Sequence, residues 1–370
     1  MIDGLYGLYS YELNFRPEKE PYKFVTGPNA YGKTSLLRMI ASLFHQDFKE
    51  LSSITFNKFE LGFDDGFRIR ITQQRFYENS EESDEVLPKK VLLTFESNNG
   101  KGVEEEFHWD SDSDEEINLN NLTAYLASHP IYLITDNRLY VGGNGSSVGE
   151  GLQESMKNYL QKLERELNSA LQQGMLDEQD PITESYYNEK VAKLQPLIDS
   201  IIKYGLVGRN PIPNYSEEKS AFCHSCIVAL DNALSDDVLK GIAQLDAFCL
   251  IIENYDFARK GLELSPYFGF RFKADDEMAS ILSFDQLSSG ERHIVLMNYD
   301  ILFDVEDDAL VLIDEPELSF HLEWQGQFME NLKELVGVRR DLQYIICTHS
   351  PEMFGYDWGL SVDLFDQAKS

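Results

Sequence analysis

A glycine-rich segment near the beginning of the chain has the residue types and spacing of a phosphate-binding turn. Residues 27–34 read Gly-Pro-Asn-Ala-Tyr-Gly-Lys-Thr and fit the pattern G-x-x-x-x-G-K-[ST]. Such a turn directs backbone N–H groups into one concavity, and the helix behind it adds a dipole that favours an anion. Gly27 and Gly32 permit this backbone path; a glycine-rich turn without a ligand is the alternative. The pattern predicts that Lys33 lies along the β- and γ-phosphates and that Thr34 offers its hydroxyl to Mg²⁺.

Two adjacent carboxylates follow a short apolar run in the last quarter of the chain. Residues 309–313 are apolar and lead directly into Asp314 and Glu315, which indicates a buried parallel strand with acids at its carboxyl end. We expect Asp314 to hold Mg²⁺ directly or through water, and Glu315 to orient and deprotonate a water that attacks a γ-phosphate. Taken alone, such a run is often structural, but the upstream turn favours a nucleotide site.

Two further segments, together with the two above, form an ordered set along the chain. Residues 287–291 read Leu-Ser-Ser-Gly-Glu and precede a predicted helix before Asp314, and a second apolar run ends at His349. Taken alone, the first segment is equally typical of a helix N-cap with a turn, and a histidine after a strand is more often satisfied locally than catalytic. Together and in this order, the four segments are highly specific.

The ordered set resembles the ATP-binding cassette superfamily, and within it the heads of SMC, RecF and double-strand-break-repair ATPases. Residues 287–291 are similar to its signature motif, Asp314 and Glu315 to its acidic strand, and His349 to its switch histidine. A closer resemblance is to bacterial ATPases related to the overcoming-lysogenisation-defect family, including the ATPase subunits of Septu, PARIS and retron-associated phage-defence systems. The segments that carry this resemblance are residues 27–34, 314–321 and 348–351.

The resemblance implies an ATPase that binds ATP and Mg²⁺. It assigns catalytic roles to Glu315 and His349 and metal ligation to Thr34 and Asp314. The residues implied in nucleotide binding are Gly27, Asn29, Gly32, Lys33, Thr34, Ser35, Ser288 and Gly290. In this superfamily the signature residues meet the nucleotide held by a partner's phosphate loop, so the resemblance also implies a homodimer or higher homo-oligomer with composite ATP sites.

Some positions depart from the family pattern. Ala30 stands where the family usually has glycine, so we expect the turn to tolerate a Cβ there. Ser289 and Glu291 differ from the transporter signature, as is common in the defence group, and we interpret neither as the loss of a site. The candidates for the residue that lines the γ-phosphate are Gln73, Gln74 and Asp136. We favour Asp136, in residues 136–138 after an apolar run, as part of a lid-type element.

Hydrophobic periodicity predicts the elements that position these residues. Residues 54–109 alternate like antiparallel strands, residues 152–202 have the spacing of a helical hairpin with a kink at Pro196, and residues 216–265 are predicted to be helical. The predicted fold class is α/β with an antiparallel β lobe and a short coiled-coil-like helical insertion. The resemblance implies that it is a P-loop NTPase of the cassette or SMC-head type with a mixed sheet. The predicted domains are an N-terminal ATPase lobe (1–150), a helical insertion or arm (151–265) and a C-terminal ATPase lobe (266–370).

The overall composition limits the kinds of partner. The chain has 370 residues, is 42% hydrophobic and has a formal net charge of −32. This net charge argues against a surface that binds nucleic acid over its whole extent. It does not exclude a local basic groove, because net charge is an average over the surface. Residues 78–116 hold 14 carboxylates, which we interpret as solvated loops, with mimicry of nucleic acid or binding of a basic partner as alternatives. Arg68, Arg70 and Arg75 form either a local basic strip or, as we favour, a solvated strand face.

Other classes of protein are disfavoured by simple features. No apolar run reaches the length of a membrane span, the first residues lack the pattern of a secretory signal, and four cysteines do not suggest a disulfide scaffold. We therefore expect a cytoplasmic protein without a membrane partner. Cys223 and Cys226 have metal-like spacing, but without a second pair we favour buried helical thiols.

The resemblance to the defence ATPases implies an ATPase whose nucleotide-driven assembly senses or scaffolds an anti-phage complex. Because 21 residues follow His349, we expect no C-terminal nuclease domain, and we expect an effector of Toprim or HNH nuclease type to be a separate chain encoded nearby. The alternative is a DNA repair or recombination ATPase of the RecF/SMC type, with a local DNA contact. A transporter subunit is disfavoured because Lys33 and Ser288 lie 255 residues apart; a third alternative is a regulatory ATP-binding scaffold that barely turns over.

Overall fold

Three β-sheets and ten α-helices make up the part of the chain that the structure describes. The structure, a computed structural model, describes residues 1–15, 20–76, 90–98, 104–112, 120–135, 148–177 and 179–368. The strands are β1 (Ile2–Leu5), β2 (Tyr9–Tyr11), β3 (Tyr22–Thr26), β4 (Lys58–Gly62), β5 (Arg68–Phe76), β6 (Lys90–Asn98), β7 (Glu104–Asp110), β8 (Ile131–Ile134), β9 (Lys260–Ser265), β10 (Gly269–Ala274), β11 (Ile281–Leu282), β12 (Leu310–Asp314), β13 (Gln343–Cys347) and β14 (Ser361–Asp363). The helices are α1 (Lys33–Phe44), α2 (Phe48–Ser53), α3 (Asn120–Ala127), α4 (Val148–Gly174), α5 (Glu184–Lys203), α6 (Ser220–Ala233), α7 (Asp236–Asn254), α8 (Ser289–Tyr299), α9 (Leu322–Val338) and α10 (Leu364–Gln367).

A five-stranded parallel sheet places the predicted site segments at one edge. Its strand order is β14-β3-β13-β12-β8. In the register, Asp314 lies opposite Cys347, and Cys347 lies opposite Val25, so the carboxyl ends of β12, β13 and β3 reach the same level. The apolar run before Asp314 is therefore a parallel strand, as predicted, and the run before His349 is a strand that pairs with it in parallel. Continuous apolar sequence is what burial on both faces requires.

A six-stranded antiparallel sheet with the order β2-β1-β4-β5-β6-β7 confirms the predicted β lobe. Along β5, Ile69 and Ile71 are buried, whereas Arg68 and Arg70, which alternate with them, are exposed, which is the alternation of a sheet with one face on a core. Helix α1 contacts β8, β12 and β13 of the parallel sheet, and α2 contacts β6. One apolar cluster includes side chains from α1 and from both sheets.

The contacts of the arginines on β5 distinguish the two predictions for them, a local basic strip and a solvated strand face. The guanidinium of Arg70 donates to the carboxylates of Glu60 and Glu96 on the two neighbouring strands, each at 3.0 Å. Arg75 donates to the backbone carbonyl of Ser52 at 2.9 Å. The exposed Arg70, paired with two carboxylates, agrees with the solvated strand face, whereas Arg75 is half-buried and its guanidinium is used by the backbone.

The helical part contains both predicted long helices. Helix α4 buries its leucine face and packs against α6 and β10, and α5 continues through Pro196 and packs against α6 and α7. The helical prediction for residues 216–265 is wrong at its end, where β9 pairs antiparallel with β10. The helix ends because Asp256, Ala258 and Arg259 have φ of 43°, 46° and 67°, left-handed values that a helix cannot continue through.

The chain forms two compact units, each made of separate stretches of sequence. The first unit is 1–136, 305–329 and 340–370, and the second is 137–304 and 330–339. The division into 1–150, 151–265 and 266–370 followed the order of elements along the chain and stays a prediction. Cys223 and Cys226 are buried free thiols on α6, as predicted. Within the described ranges, the structure contains no helix with the length and apolar character needed to cross a membrane.

Candidate nucleotide-binding site

The glycine-rich turn connects β3 to α1, which is the strand-turn-helix context that the sequence predicts. Gly27 has φ of 142° and Gly32 has φ of 84°, both in the region that favours glycine. A Cβ on Gly32 would lie 2.5 Å from Cδ2 of Leu5. Helix α1 then begins without a side-chain cap, which means that no capping side chain accepts a hydrogen bond from its first N–H groups. Such a helix end is suited to binding an anion.

Lys33 lies beneath this turn. Its side chain is only 3% exposed, and its ammonium donates to the carbonyl oxygen of Gly27 at 2.9 Å and to that of Pro28 at 3.4 Å. The same ammonium lies 3.6 Å from Oε1 of Glu315. The turn therefore holds a buried cation at its centre, adjacent to the end of the acidic strand.

Thr34 and Asp314 supply a hydroxyl and a carboxylate side by side. Oγ1 of Thr34 donates to Oδ1 of Asp314 at 3.2 Å. Two hard oxygen donors fit Mg²⁺, which usually keeps several waters and takes further oxygens from phosphates. No group of three or more His, Cys, Asp or Glu side chains suited to a metal occurs in the described ranges. When bound, Mg²⁺ would neutralise charge on the phosphates.

Glu315 and His349 meet at the carboxyl ends of β12 and β13. Glu315 has a left-handed backbone with φ of 46°, and its N–H donates to the carbonyl of Cys347 at 2.8 Å. Oε1 of Glu315 lies 3.6 Å from Nδ1 of His349, the same distance as from the Lys33 ammonium. The structure thus brings together the three side chains that could assist proton transfer at a phosphate.

Three neighbours of this cluster received no role from the sequence. Glu317 is buried, and its Oε1 accepts hydrogen bonds from Oγ1 of Thr348 at 2.6 Å and from N–H of His349 at 2.8 Å. Burial raises the pKa of the Cys347 thiol well above its usual range, so this thiol stays neutral next to the charged groups. The position of Glu317 in the motif 314–321 was the signal available, but only the fold shows its contacts.

The signature residues belong to the second unit. Ser288 is the N-cap of α8: its hydroxyl accepts from N–H of Glu291 at 3.3 Å, and the Glu291 carboxylate accepts from N–H of Ser288 at 2.7 Å. The N-cap interpretation is therefore confirmed, as a reciprocal capping box. Lys260 donates to Glu291 at 2.7 Å, and Gly290 is buried in the first turn. Because the Ser288 hydroxyl accepts within the box, its own proton remains available for donation.

Comparison with known families agrees with this geometry. A family model described as "AAA ATPase domain" matches residues 67–354, which is more than half of the chain. The chain belongs to the AAA ATPase domain family. The glycine-rich turn at 27–34 precedes the matched range, and the acidic strand, the signature segment and His349 fall within it.

Three solved structures are similar to this AAA ATPase domain. One is the Smc head domain with an extended coiled coil bound to the C-terminal domain of ScpA, from Pyrococcus furiosus, at 13% identity and a TM-score of 0.38, covering 90% of this chain and 85% of that chain. A second is an SmcHead bound to the C-winged helix domain of ScpA, at 12% identity and a TM-score of 0.34, covering 90% of this chain and 84% of that chain. A third is the SMC head domain from Thermotoga maritima, at 12% identity and a TM-score of 0.33, covering 96% of this chain and 90% of that chain. The α/β assignment of the chain rests on its own sheets and helices.

The remaining candidate residues of the AAA ATPase domain fall in different environments. Ser35, at the start of α1, exchanges a 2.8 Å hydrogen bond with the hydroxyl of Tyr6, and Asn29 is exposed in the turn. Gln73 donates its amide to the carbonyls of Ser52 and Ile54, so both of its N–H groups are used locally. Gln74 lies on β5, and the favoured candidate, Asp136, lies outside the described residues.

Proposed function

We propose that this chain binds ATP with Mg²⁺ and hydrolyses it in the site at the carboxyl edge of the parallel sheet. The observation that carries the proposal is the convergence of three strand ends on Glu315, whose Oε1 lies 3.6 Å from both Lys33 and His349. In hydrolysis the oxygen of water bonds to the γ-phosphorus, the bond to the bridging oxygen breaks, and Glu315 receives the proton of the water. Lys33 and His349 would stabilise the negative charge on the transferred group.

The proposal includes assembly driven by the nucleotide. A Ser288 hydroxyl whose proton remains available, at the N-terminus of α8, has the chemistry to meet the γ-phosphate bound to a second copy of the chain. Gly290 lies in the same first turn. This supports a homodimer or higher homo-oligomer with composite sites, in which γ-phosphate contacts favour the closed state and hydrolysis releases it.

The biological role that we propose is an anti-phage ATPase that controls a separate effector of Toprim or HNH nuclease type in the cytoplasm. The motifs at 27–34, 314–321 and 348–351 support it through their resemblance to defence ATPases. A repair ATPase that acts on DNA is the alternative. The contacts of Arg70 and Arg75 with carboxylates and backbone carbonyls favour the first role, because they leave fewer cations on β5 for phosphates.

A Glu315→Gln variant tests the ATPase and its assembly together. We expect turnover to fall about 100-fold, because a general base contributes that much or more, and ATP to trap a dimer or larger assembly. Multi-angle light scattering with ATP, compared with ADP, measures the size. As a matched control, Lys33→Ala should weaken ATP binding at least about 30-fold, since hydrogen bonds to charged groups are strong, and should remain small with either nucleotide.

A Glu315→Gln protein that binds ATP but keeps one size with ATP and ADP would contradict the cassette-type assembly. Hydrolysis that rises with added duplex or single-stranded DNA would favour the repair alternative. A neighbouring gene for a Toprim, HNH or reverse-transcriptase protein would favour defence, and a repair operon would favour the alternative.

A further inference from the structure

Glu317 is a buried carboxylate next to the proposed catalytic groups but without an assigned role. It lies in the 3₁₀ turn Pro316–Ser319 that follows β12, and it is only 4% exposed. A buried carboxylate is costly unless hydrogen bonds or a cation compensate for the loss of water. The burial of Glu317 at this edge of the sheet therefore requires compensating contacts.

Within the described part of the chain, the side-chain hydrogen bonds of Glu317 lead to the residues directly after β13. Its Oε1 accepts from the Thr348 hydroxyl at 2.6 Å and from the backbone N–H of His349 at 2.8 Å. Its Oε2 is buried and has no hydrogen-bond partner within the described ranges. The carboxylate thus connects the turn after β12 to the backbone that presents the His349 ring.

The ring of His349 faces the same oxygen. Nδ1 lies 3.4 Å from Oε1 of Glu317 and 3.6 Å from Oε1 of Glu315. When one imidazole nitrogen is committed to a carboxylate, the tautomer and the ring orientation are set, and the other nitrogen serves the ligand. Of the two carboxylates, Glu317 is the more buried, with a side chain 3% exposed against 21% for Glu315, and it also fixes the histidine backbone.

We infer that Glu317 is a positioning residue for His349. Its carboxylate fixes the backbone and Nδ1 of the histidine, which leaves Nε2 to meet the γ-phosphate and leaves Glu315 to receive the proton of the attacking water. This inference rests on the proposed function, since it assigns a support to the same reaction. A purely structural role would connect β12 and β13 equally well without acting through the ring.

A double-mutant cycle on ATP turnover separates these two roles. The proteins are wild type, Glu317→Gln, His349→Ala and the double variant, assayed for kcat and KM with ATP and Mg²⁺. We expect Glu317→Gln to lower kcat about 10-fold with KM within about threefold, and His349→Ala to lower kcat at least as much. The double variant should match His349→Ala alone, because Glu317 acts through the ring that this substitution removes.

A matched control is Glu352→Gln, which changes a half-buried carboxylate that accepts from the hydroxyl of Tyr356 shortly after the same strand end and should leave kcat unchanged. If Glu317→Gln melts far below wild type, Thr348→Val removes one anchoring hydrogen bond and should show the same lack of additivity with His349→Ala. Effects that multiply in the double variant, or an unchanged kcat in Glu317→Gln, overturn the inference while wild-type turnover stands. A wild-type protein without ATP turnover overturns the proposed function and this inference with it.

Discussion

The N-termini of α1 and α8, which hold the two proposed halves of a composite site, begin in opposite ways. Helix α1 starts after Gly32, at φ of 84° and without a side-chain cap, whereas α8 starts after Ser288, at φ of −63° and with a complete capping box. An uncapped end leaves its N–H groups to an anion, and a capped end satisfies them internally. The difference indicates that α1 binds phosphate with its backbone, whereas α8 presents a side chain on a rigid turn.

The first turn of α8 and the turn after β12 each contain a buried glutamate that accepts from a backbone N–H, but the surroundings of Glu291 and Glu317 differ. Glu291 accepts from Ser288 and is paired with Lys260 at 2.7 Å. Glu317 accepts from the backbone N–H of His349, and Nδ1 of the His349 ring lies 3.4 Å from its Oε1. A carboxylate paired with a lysine ammonium suits a fixed scaffold, and one whose neighbour is a histidine suits a group that takes part in the reaction.

Among the substitutions that test the contrast between the two helix ends, Gly32→Ala should cause the largest loss of stability. The new Cβ would lie 2.5 Å from Cδ2 of Leu5, which is fully buried, and the residue would be held at φ of 84°. Together, the left-handed backbone and the crowding should cost about 2–4 kcal/mol. Chemical denaturation measures the stability, and a fluorescent ATP analogue measures the expected loss of nucleotide affinity.

Gly326→Ala is the control for this substitution, because Gly326 lies within α9 and a Cβ there would meet nothing within 4 Å. We expect it to stabilise the protein by up to about 1 kcal/mol through helix propensity. Equal stability of Gly32→Ala and wild type would show that the turn before α1 is not strained, and the contrast between the two helix ends would then be wrong.

A Lys260→Met substitution tests the capped end. It leaves the carboxylate of Glu291 buried without its cation, and because Lys260 keeps some exposure we expect a loss of about 1–3 kcal/mol and a weaker ATP-dependent assembly. Lys273→Met is the matched control, since Lys273 is 45% exposed and lies 3.6 Å from Glu263, a pair worth less than about 0.5 kcal/mol. Denaturation curves of the two variants that coincide would refute a scaffold role for the Lys260 pair.

The local sequence was sufficient to predict the elements of the site. Residues 27–34 join a strand to a helix, Asp314 and Glu315 end a parallel strand, and Ser288 caps a helix, because each depends on a few adjacent residues whose conformations and burial are local properties. The same reasoning was wrong at β9, where left-handed residues ended a helix that the apolar pattern seemed to continue. Pairing with β10 is not visible in that pattern, since it depends on a partner strand.

The contacts that support the site could not be predicted from the sequence. Lys260 and Glu291 are 31 residues apart, and Glu317 and Thr348 are also 31 residues apart, so only the fold brings each pair together. Gln73 shows the converse, because its type and position on a strand suggested a phosphate contact, yet its amide is used by the backbone at Ser52 and Ile54. Ordinary side chains acquire such roles from packing, which motif spacing does not encode.

Ala30→Gly should have the smallest effect and the opposite sign to Gly32→Ala. Ala30 has φ of 70° and is exposed, so its Cβ costs about 1 kcal/mol or slightly more in this conformation, while glycine costs about 0.5–1 kcal/mol through the entropy of the unfolded chain. We expect a stabilisation of at most about 1 kcal/mol, a rise in melting temperature of no more than about 3 °C, and unchanged ATP affinity. A loss of stability above about 1 kcal/mol would contradict this account. Because Ser288 begins α8 at an ordinary φ, a gain found at Ala30 would assign the backbone strain to the phosphate-binding end alone.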